Sequence, residues 1–265
     1  TVTAAGAIST AGSFATNATF NTSAVNGPIV LTAGAFDGTG CGGINFGVGV
    51  RPGTGTVSAT STGIPSCGGA IQLAHWGGDL LTSRYQLDFS GVNTGADNLI
   101  RLKAMDGHLI LDSTAGMGAS TQDKNWELST VAANRDIVFS GGTIAGNRVN
   151  LRATRDIDNL AAGTTGWREV CVTGSCSWVM EAGRGIGPTN PIQAEADWVG
   201  TLQTAGSGAA GDLRVRFVQD PLNATPRIAR LATDPASAQQ IRIDGTQVEL
   251  DVGQPGWGGA DFITD

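Results

Sequence analysis

The sequence predicts an all-β fold, and three observations lead to that prediction. Short apolar segments alternate with polar residues at a period of two, which is the pattern of half-buried strands. Glycine contributes 40 of the 265 residues and, with Asn and Asp, punctuates these segments at short intervals. Helical periodicity is nearly absent, and Thr121–Ala133, around Trp126, is the best helix candidate. The strict alternation predicts strands with one solvated face, unlike the strands of an α/β sheet.

One strand pattern recurs: an apolar residue, Leu two positions later and Ala two positions after that. It occurs at Ile29–Ala33, Ile100–Ala104 and Val149–Ala153. A period of two places the three side chains on one face of a strand, and the final Ala suits a turn of the backbone inside a narrow core. The uneven spacing of the copies fits a solenoid with loop insertions and also a β-sandwich. Further strands are predicted at 135–139, 142–144, 156–159, 213–217, 241–243 and 248–250.

Composition excludes several classes of protein. The net charge is −7, with 23 acidic and 16 basic residues, and no basic cluster is present that could displace counterions from nucleic acid. Apolar residues make up 40% of the chain, which argues against disorder, and no apolar run is long enough to span a membrane. The chain begins at Thr1 inside a patterned stretch, which predicts a processed product or a piece of a longer protein. We expect one β-rich domain over residues 1–265.

The four cysteines predict two local disulfides. Cys41 and Cys67 each precede a Gly-Gly pair, and Cys171 and Cys176 bracket a tight four-residue loop. An even count in local pairs is typical of an oxidising compartment. The alternative is a metal site, but zinc ligands lie closer together than these two pairs do. We therefore expect neither a metal nor a cofactor.

The segment from Gly141 to Asn159 carries a resemblance. It reads GGTIAGNRVNLRATRDIDN, and it resembles the repeat of filamentous-haemagglutinin-type exoproteins of two-partner secretion. In that repeat a Gly-Thr-Ile-like strand precedes an apolar-x-Leu-x-Ala strand and then Asp-Ile-x-Asn. Looser copies lie at 1–8, 29–36 and 99–112.

The resemblance implies a right-handed parallel β-helix that is displayed on, or shed from, Gram-negative bacteria. The regions 40–69 and 164–198 depart from the repeat, so we expect loop excursions there. A β-sandwich of pilin or adhesin type remains the alternative fold.

Catalytic candidates are few. The two histidines, His75 and His108, have no accompanying nucleophile elbow, so a hydrolase triad is not expected. Asp136, Asp156 and Asp158 form the better signal, because two carboxylates suffice for glycoside hydrolysis and many polysaccharide-cleaving enzymes are β-helices. The alternative is that Asp136 and Asp156 occupy turns and accept hydrogen bonds from nearby backbone amides. We expect no catalytic residue.

Three tryptophans are candidates for ligand or partner contact. Trp167, Trp178 and Trp198 flank the irregular region 164–198 in a chain with a single tyrosine. Exposed aromatic rings stack on sugars or anchor protein partners. The alternative is that these rings fill the core or cover a loop.

Together these observations predict an extracellular structural or adhesive protein of the bacterial cell surface, without enzymatic activity. We expect it to be a β-solenoid segment of an adhesin or a subunit of an extracellular fibre. The expected partner is a host-cell or matrix glycan or protein, or further copies of the chain, because unpaired strand edges recruit other strands. A secreted carbohydrate-active β-helix enzyme and a carbohydrate-binding module are the alternatives.

Overall fold

The computed structural model describes most of the chain. The described residues are 1–4, 19–34, 43–44, 49–62, 70–90, 99–113, 125–142, 144–146, 148–161, 167–169, 177–195, 198–199, 201–206, 211–217, 227–228, 231–232, 240–244, 249–250 and 261–263. Within these ranges the regular structure is β-strand, apart from one 3-10 turn at Thr82–Arg84.

The described strands are short and are numbered in chain order. They are β1 (Val2–Ala4), β2 (Thr19–Asn21), β3 (Ile29–Gly34), β4 (Gly49–Arg51), β5 (Val57–Thr62), β6 (Ile71–His75), β7 (Leu80–Leu81), β8 (Tyr85–Ser90), β9 (Leu99–Ala104), β10 (Leu109–Leu111), β11 (Asn125–Thr130), β12 (Ile137–Phe139), β13 (Ile144–Gly146), β14 (Arg148–Ala153), β15 (Ile157–Asn159), β16 (Trp167–Glu169), β17 (Ser177–Ala182), β18 (Ile192–Glu195), β19 (Trp198–Val199), β20 (Thr201–Thr204), β21 (Leu213–Phe217), β22 (Arg227–Ile228), β23 (Leu231–Ala232), β24 (Gln240–Asp244), β25 (Glu249–Leu250) and β26 (Asp261–Ile263).

These strands stack into a parallel β-solenoid. The longest sheet has nine strands in the order β2-β4-β6-β9-β11-β14-β17-β20-β23, and shorter sheets such as β1-β3-β5-β8 and β7-β10-β12-β15 form its other sides. Pairing within these sheets is parallel. The turns are unequal in length: one advances from Val179 to its register partner Thr201, whereas a longer one advances from Thr19 to Gly49. The predicted β-helix is therefore confirmed, and the β-sandwich alternative is wrong.

Side chains alternate between the core and the outer surface, as the sequence predicts. In β9, Ile100, Leu102 and Ala104 are buried, while Arg101 and Lys103 between them are half-buried. The equivalent apolar residues of β14 lie in the same nine-stranded sheet and are also buried. The third copy of the pattern, in β3, is buried too, but it belongs to the sheet β1-β3-β5-β8. The pattern therefore marks a strand with one buried face and does not mark one particular side of the solenoid.

A column of small or polar residues lines the inner corner where the nine-stranded sheet ends. Successive turns place Ala104, Thr130, Ala153 and Ala182 in register at this corner. The Thr130 hydroxyl donates to the Arg135 carbonyl oxygen at 3.1 Å. The Thr130 hydroxyl thus satisfies a backbone acceptor where the chain turns.

Three regions differ from the sequence expectation. The helix candidate 121–133 contains strand β11, whose Trp126 and Leu128 are buried between neighbours β9 and β14. Pairing on both sides outweighs its local pattern. The expected excursion 40–69 contains β4 and β5, and the expected excursion 164–198 contains β16 to β19, including the core strand β17. Both regions thus contribute strands to the solenoid.

Candidate functional site

The predicted disulfides lie outside the described residues. This holds for Cys41, Cys67, Cys171 and Cys176 alike. The two bridges remain predictions. Among the described residues, no group of three or more His, Cys, Asp or Glu side chains is arranged to hold a metal ion.

The three candidate tryptophans take different positions. Trp178 lies in core strand β17 and is 0% exposed, so it fills the core, as the alternative interpretation predicts, and it offers no surface to a ligand. Trp167 and Trp198 lie in the short strands β16 and β19. Their side chains are outside the described part of the structure, so their contact role stays a prediction. The contact role assigned to Trp178 is wrong because the ring is enclosed by the stacked turns.

Asp136 is held by donors from the following turn. Its carboxylate accepts hydrogen bonds from Arg155 Nε at 2.6 Å, from Arg155 Nη2, and from the Asp156 backbone N–H at 3.0 Å. Burial alone would raise the pKa of this carboxyl, but the hydrogen bonds from Arg155 and Asp156 and the nearby Arg155 charge lower the pKa below its usual value. Asp136 is therefore an ionised acceptor with its oxygens occupied.

Asp156 repeats this arrangement one turn further on. Its carboxylate accepts from Arg184 Nε at 2.9 Å, from Arg184 Nη2, and from the Gly185 N–H at 2.9 Å. Arg155 Nε also lies 3.7 Å from the same carboxylate, so this arginine bridges Asp136 and Asp156. The side chain of Asp156 is only 4% exposed.

Asp158 faces solvent more than its neighbours but is also engaged. Its Oδ1 accepts from the Asn159 and Thr189 backbone N–H groups, both at 2.9 Å, and its Oδ2 accepts from Thr189 Oγ1 at 2.5 Å. The structure thus gives each of the three candidate carboxylates a set of backbone and side-chain donors.

Side chains at one corner form a continuous column, here called the inter-turn ladder, made of Asp79, His108, Asp136 and Asp156. The His108 N–H donates to Asp79 Oδ1 at 2.8 Å, and the Asp136 N–H donates to His108 Nδ1 at 3.0 Å. The Asp156 N–H donates to Asp136 Oδ1 at 3.0 Å, and the Gly185 N–H donates to Asp156 Oδ1 at 2.9 Å. Each side chain accepts the amide of the equivalent residue in the next turn.

The ladder sits beside one small sheet of the solenoid. Each member immediately precedes a short strand: β7, β10, β12 or β15, which stack in register. In the alternative interpretation of the sequence, Asp136 and Asp156 accept hydrogen bonds from nearby amides. The amides that donate to them in the structure lie 20 and 29 residues further along the chain. The carboxylates therefore join turns to one another, a role that stabilises the fold.

His75, the other histidine of the chain, is buried. His75 ends β6 at the inner corner, and its Nδ1 lies 2.6 Å from the Tyr85 hydroxyl oxygen. Burial lowers the pKa of His75 to about 4, which outweighs the opposing influence of the Asp106 charge. Burial likewise raises the pKa of Tyr85. The pair is consequently neutral near pH 7 and packs as part of the core.

A groove lies on the outer face of the nine-stranded sheet and is here called the outer-face groove. It has a volume of about 550 Å³ and crosses strands β9, β11 and β14. Its lining side chains include Arg101, Lys103, Glu127, Ser129, Val131, Asn150 and Arg152. Ser129 lies in register between Lys103 and Arg152 on the neighbouring strands, so a short side chain separates two long basic ones.

Ion pairs shape the groove. Arg101 donates hydrogen bonds to the Glu127 carboxylate from Nε and from Nη2, the latter at 3.0 Å. Its Nη1 donates to the Gln72 side-chain oxygen at 3.3 Å. Arg152 Nε lies 2.8 Å from Glu181 Oε2, and the Arg152 side chain is 62% exposed. The sequence contains a signal for this surface, because polar residues alternate with the buried ones, but the register that assembles them is a property of the folded solenoid.

Comparisons with protein families, with characterised proteins and with solved structures give no match for this chain. No helix in the described part of the chain is long and apolar enough to cross a membrane. The class of protein that the structure defines is a parallel β-solenoid with a ladder of side-chain hydrogen bonds between its turns and a polar outer face.

Proposed function

We propose that this chain is an extracellular structural or adhesive protein of the bacterial cell surface, either a solenoid segment of an adhesin or a subunit of an extracellular fibre. One observation carries the proposal: Asp136 and Asp156, two of the three carboxylates that the sequence offers for catalysis, accept hydrogen bonds from the next turn in the inter-turn ladder. The resemblance of 141–159 to a filamentous-haemagglutinin-type repeat supports an exported, surface-displayed protein.

The outer face supports an adhesive role. Nine parallel strands present one uninterrupted sheet, and its outward residues include charged and amide side chains such as Arg101, Glu127 and Asn150. A sheet of this kind offers many weak contacts in a row, and the summed contacts give strong attachment when the partner is also repetitive. Polysaccharides and matrix proteins are partners of that kind.

Attachment and assembly are tested together. Labelled chain is applied to host cells and to wells coated with matrix proteins or glycans, with heat-unfolded chain as the control. In parallel, the purified chain is imaged by electron microscopy over a range of concentrations. We expect saturable retention of the folded chain, ordered filaments, or both. The absence of retention on every surface, together with discrete particles at every concentration, would contradict the proposal.

A cleavage assay separates this proposal from the carbohydrate-active enzyme. The chain is incubated with a broad panel of polysaccharides, and new reducing ends are measured. We expect none. Turnover that disappears in the Asp158→Asn variant, while the folded structure is retained, would replace the adhesive proposal with an enzymatic one.

A further inference from the structure

The outer-face groove is basic on a chain that is acidic as a whole. The groove side chains and the adjacent Glu181 comprise three bases, Arg101, Lys103 and Arg152, and two acids, Glu127 and Glu181, which leaves one positive charge in excess. The whole chain carries −7. A local charge opposite to the overall charge attracts an anionic partner to this position specifically.

The basic side chains are spaced along the solenoid axis. Lys103 lies on β9 and Arg152 on β14, with Ser129 of β11 in register between them. Neighbouring strands are about 4.8 Å apart, so the two basic positions are about 10 Å apart along the axis. The short Ser129 side chain opens the space between them. That spacing suits an extended partner whose negative charges recur once per two sugar units.

The acids in the groove limit the charge density of the partner. Arg101 already binds Glu127, and Arg152 binds Glu181. A dense polyanion would be repelled by both glutamates, whereas a single carboxylate can take the place of Glu181 on the exposed Arg152 at small cost, since exposed ion pairs are weak. The site therefore favours a partner with sparse carboxylates.

The remaining surface suits a sugar chain. Ser129 and Asn150 offer hydroxyl and amide groups toward the groove. Val131, which is 46% exposed, adds an apolar side chain to the lining. Hydroxyl partners beside a C–H surface are the combination that carbohydrates require.

We propose that the outer-face groove binds an acidic polysaccharide that carries one carboxylate per disaccharide. The polysaccharide runs along the solenoid axis, with its carboxylates on Lys103 and Arg152. This proposal rests on the proposed adhesive function and names the chemistry of the partner. An acidic protein is the competing partner, which the test below distinguishes.

The test measures binding of end-labelled hyaluronan oligosaccharides by fluorescence polarisation. Lys103→Gln and Arg152→Gln are each expected to weaken binding by about three- to fivefold, the effect of losing one exposed charge pair. Arg148→Gln is the matched control, because Arg148 is an exposed arginine of the same strand as Arg152 but does not line the groove. It is expected to change binding by less than about twofold.

The comparison ligands decide the chemistry. Neutral dextran is expected not to bind, and heparin, with its dense sulfates, is expected to bind no more tightly than hyaluronan. No binding of hyaluronan by the native chain, or equal binding by all three variants, would overturn the proposal. Tight binding of a polyglutamate peptide without hyaluronan binding would overturn it in favour of an acidic protein partner.

Cell attachment separates this proposal from the adhesive function itself. If the native chain attaches to cells but does not bind hyaluronan, the groove proposal fails and the adhesive proposal stands. If the native chain binds hyaluronan through the groove but attaches to no cell or matrix, the groove proposal stands and the adhesive proposal fails.

Discussion

Replacing Asp136 with Ala removes the acceptor on which two groups of the next turn converge. The buried Asp156 N–H loses its partner, and an unpaired buried donor costs about 1–3 kcal/mol. The Arg155 ion pair is also lost, but Arg155 is 36% exposed, so this loss adds less than about 1 kcal/mol. We therefore expect Asp136→Ala to lower the free energy of unfolding by about 1–4 kcal/mol.

Two variants set the scale for this experiment. Asp136→Asn keeps an oxygen acceptor for the Asp156 N–H and loses only the charge, so we expect a loss of about 1 kcal/mol. Glu181→Gln breaks the exposed pair with Arg152, and we expect a loss below about 1 kcal/mol. Unfolding in urea is followed by tryptophan fluorescence, because Trp126 and Trp178 are both buried in the core.

Hydrogen exchange provides a local readout that does not depend on two-state unfolding, which long repeat arrays do not always obey. The Asp156 amide should exchange faster in Asp136→Ala than in the native chain, while amides of strand β9 remain protected. If Asp136→Ala is as stable as Glu181→Gln and the Asp156 amide keeps its protection, the assignment of a stabilising role to the ladder is wrong.

Three further predictions rest on the described residues. The folded pKa values of Asp112 and Asp136 are lowered, so their contribution to stability is present above the unfolded value of 3.8 and is lost as the pH falls through the lower folded values. In acid unfolding, the stability of Asp136→Asn should therefore depend less steeply on pH below pH 4 than that of the native chain. The His75 imidazole should titrate near pH 4 by NMR, and because its folded pKa is lowered, stability should fall as the pH drops from 6.5 toward 4; a midpoint near 6.5 would refute its burial. Gly107→Ala should lower the melting temperature clearly, because its added Cβ would lie 2.1 Å from the Gly78 carbonyl oxygen. Gly27→Ala is the control and should change the melting temperature little, because its Cβ would meet only ordinary contacts, the nearest at 3.5 Å. Equal melting temperatures of the two variants would contradict the close approach of the two turns.

Local alternation predicted the strands well. Ile100–Ala104 and Val149–Ala153 were recognisable because their inward and outward residues alternate within five positions, and this information does not depend on the partner strand. Asn125–Thr130 was not recognisable in the same way. Its Trp126, Leu128 and later Val131 fit no single period, and its strand conformation depends on β9 and β14 pairing on either side.

The ladder and the groove could not be predicted, because both depend on register. Because the turns differ in length, residues that lie in register on one side of the solenoid are separated by different numbers of residues in the sequence. The Asp136 and Asp156 partners lie 20 and 29 residues away, so no fixed motif connects them. The residue types were visible in the sequence, and the uneven turn lengths concealed which of them meet.

One continuous outer face requires turns that stack in the stated register, and a distance measurement tests this stacking most directly. Spin labels are attached through cysteines introduced at Lys103 and Gln203, outward positions of β9 and β20 that are separated by four strand spacings in the nine-stranded sheet. Pulsed electron paramagnetic resonance should give one narrow distance of about 19 Å between the labelled backbones, after allowance for the linkers, because neighbouring strands lie about 4.8 Å apart. A broad distribution, or a main distance far longer than four strand spacings, would contradict the stacked register and with it the ladder and the groove.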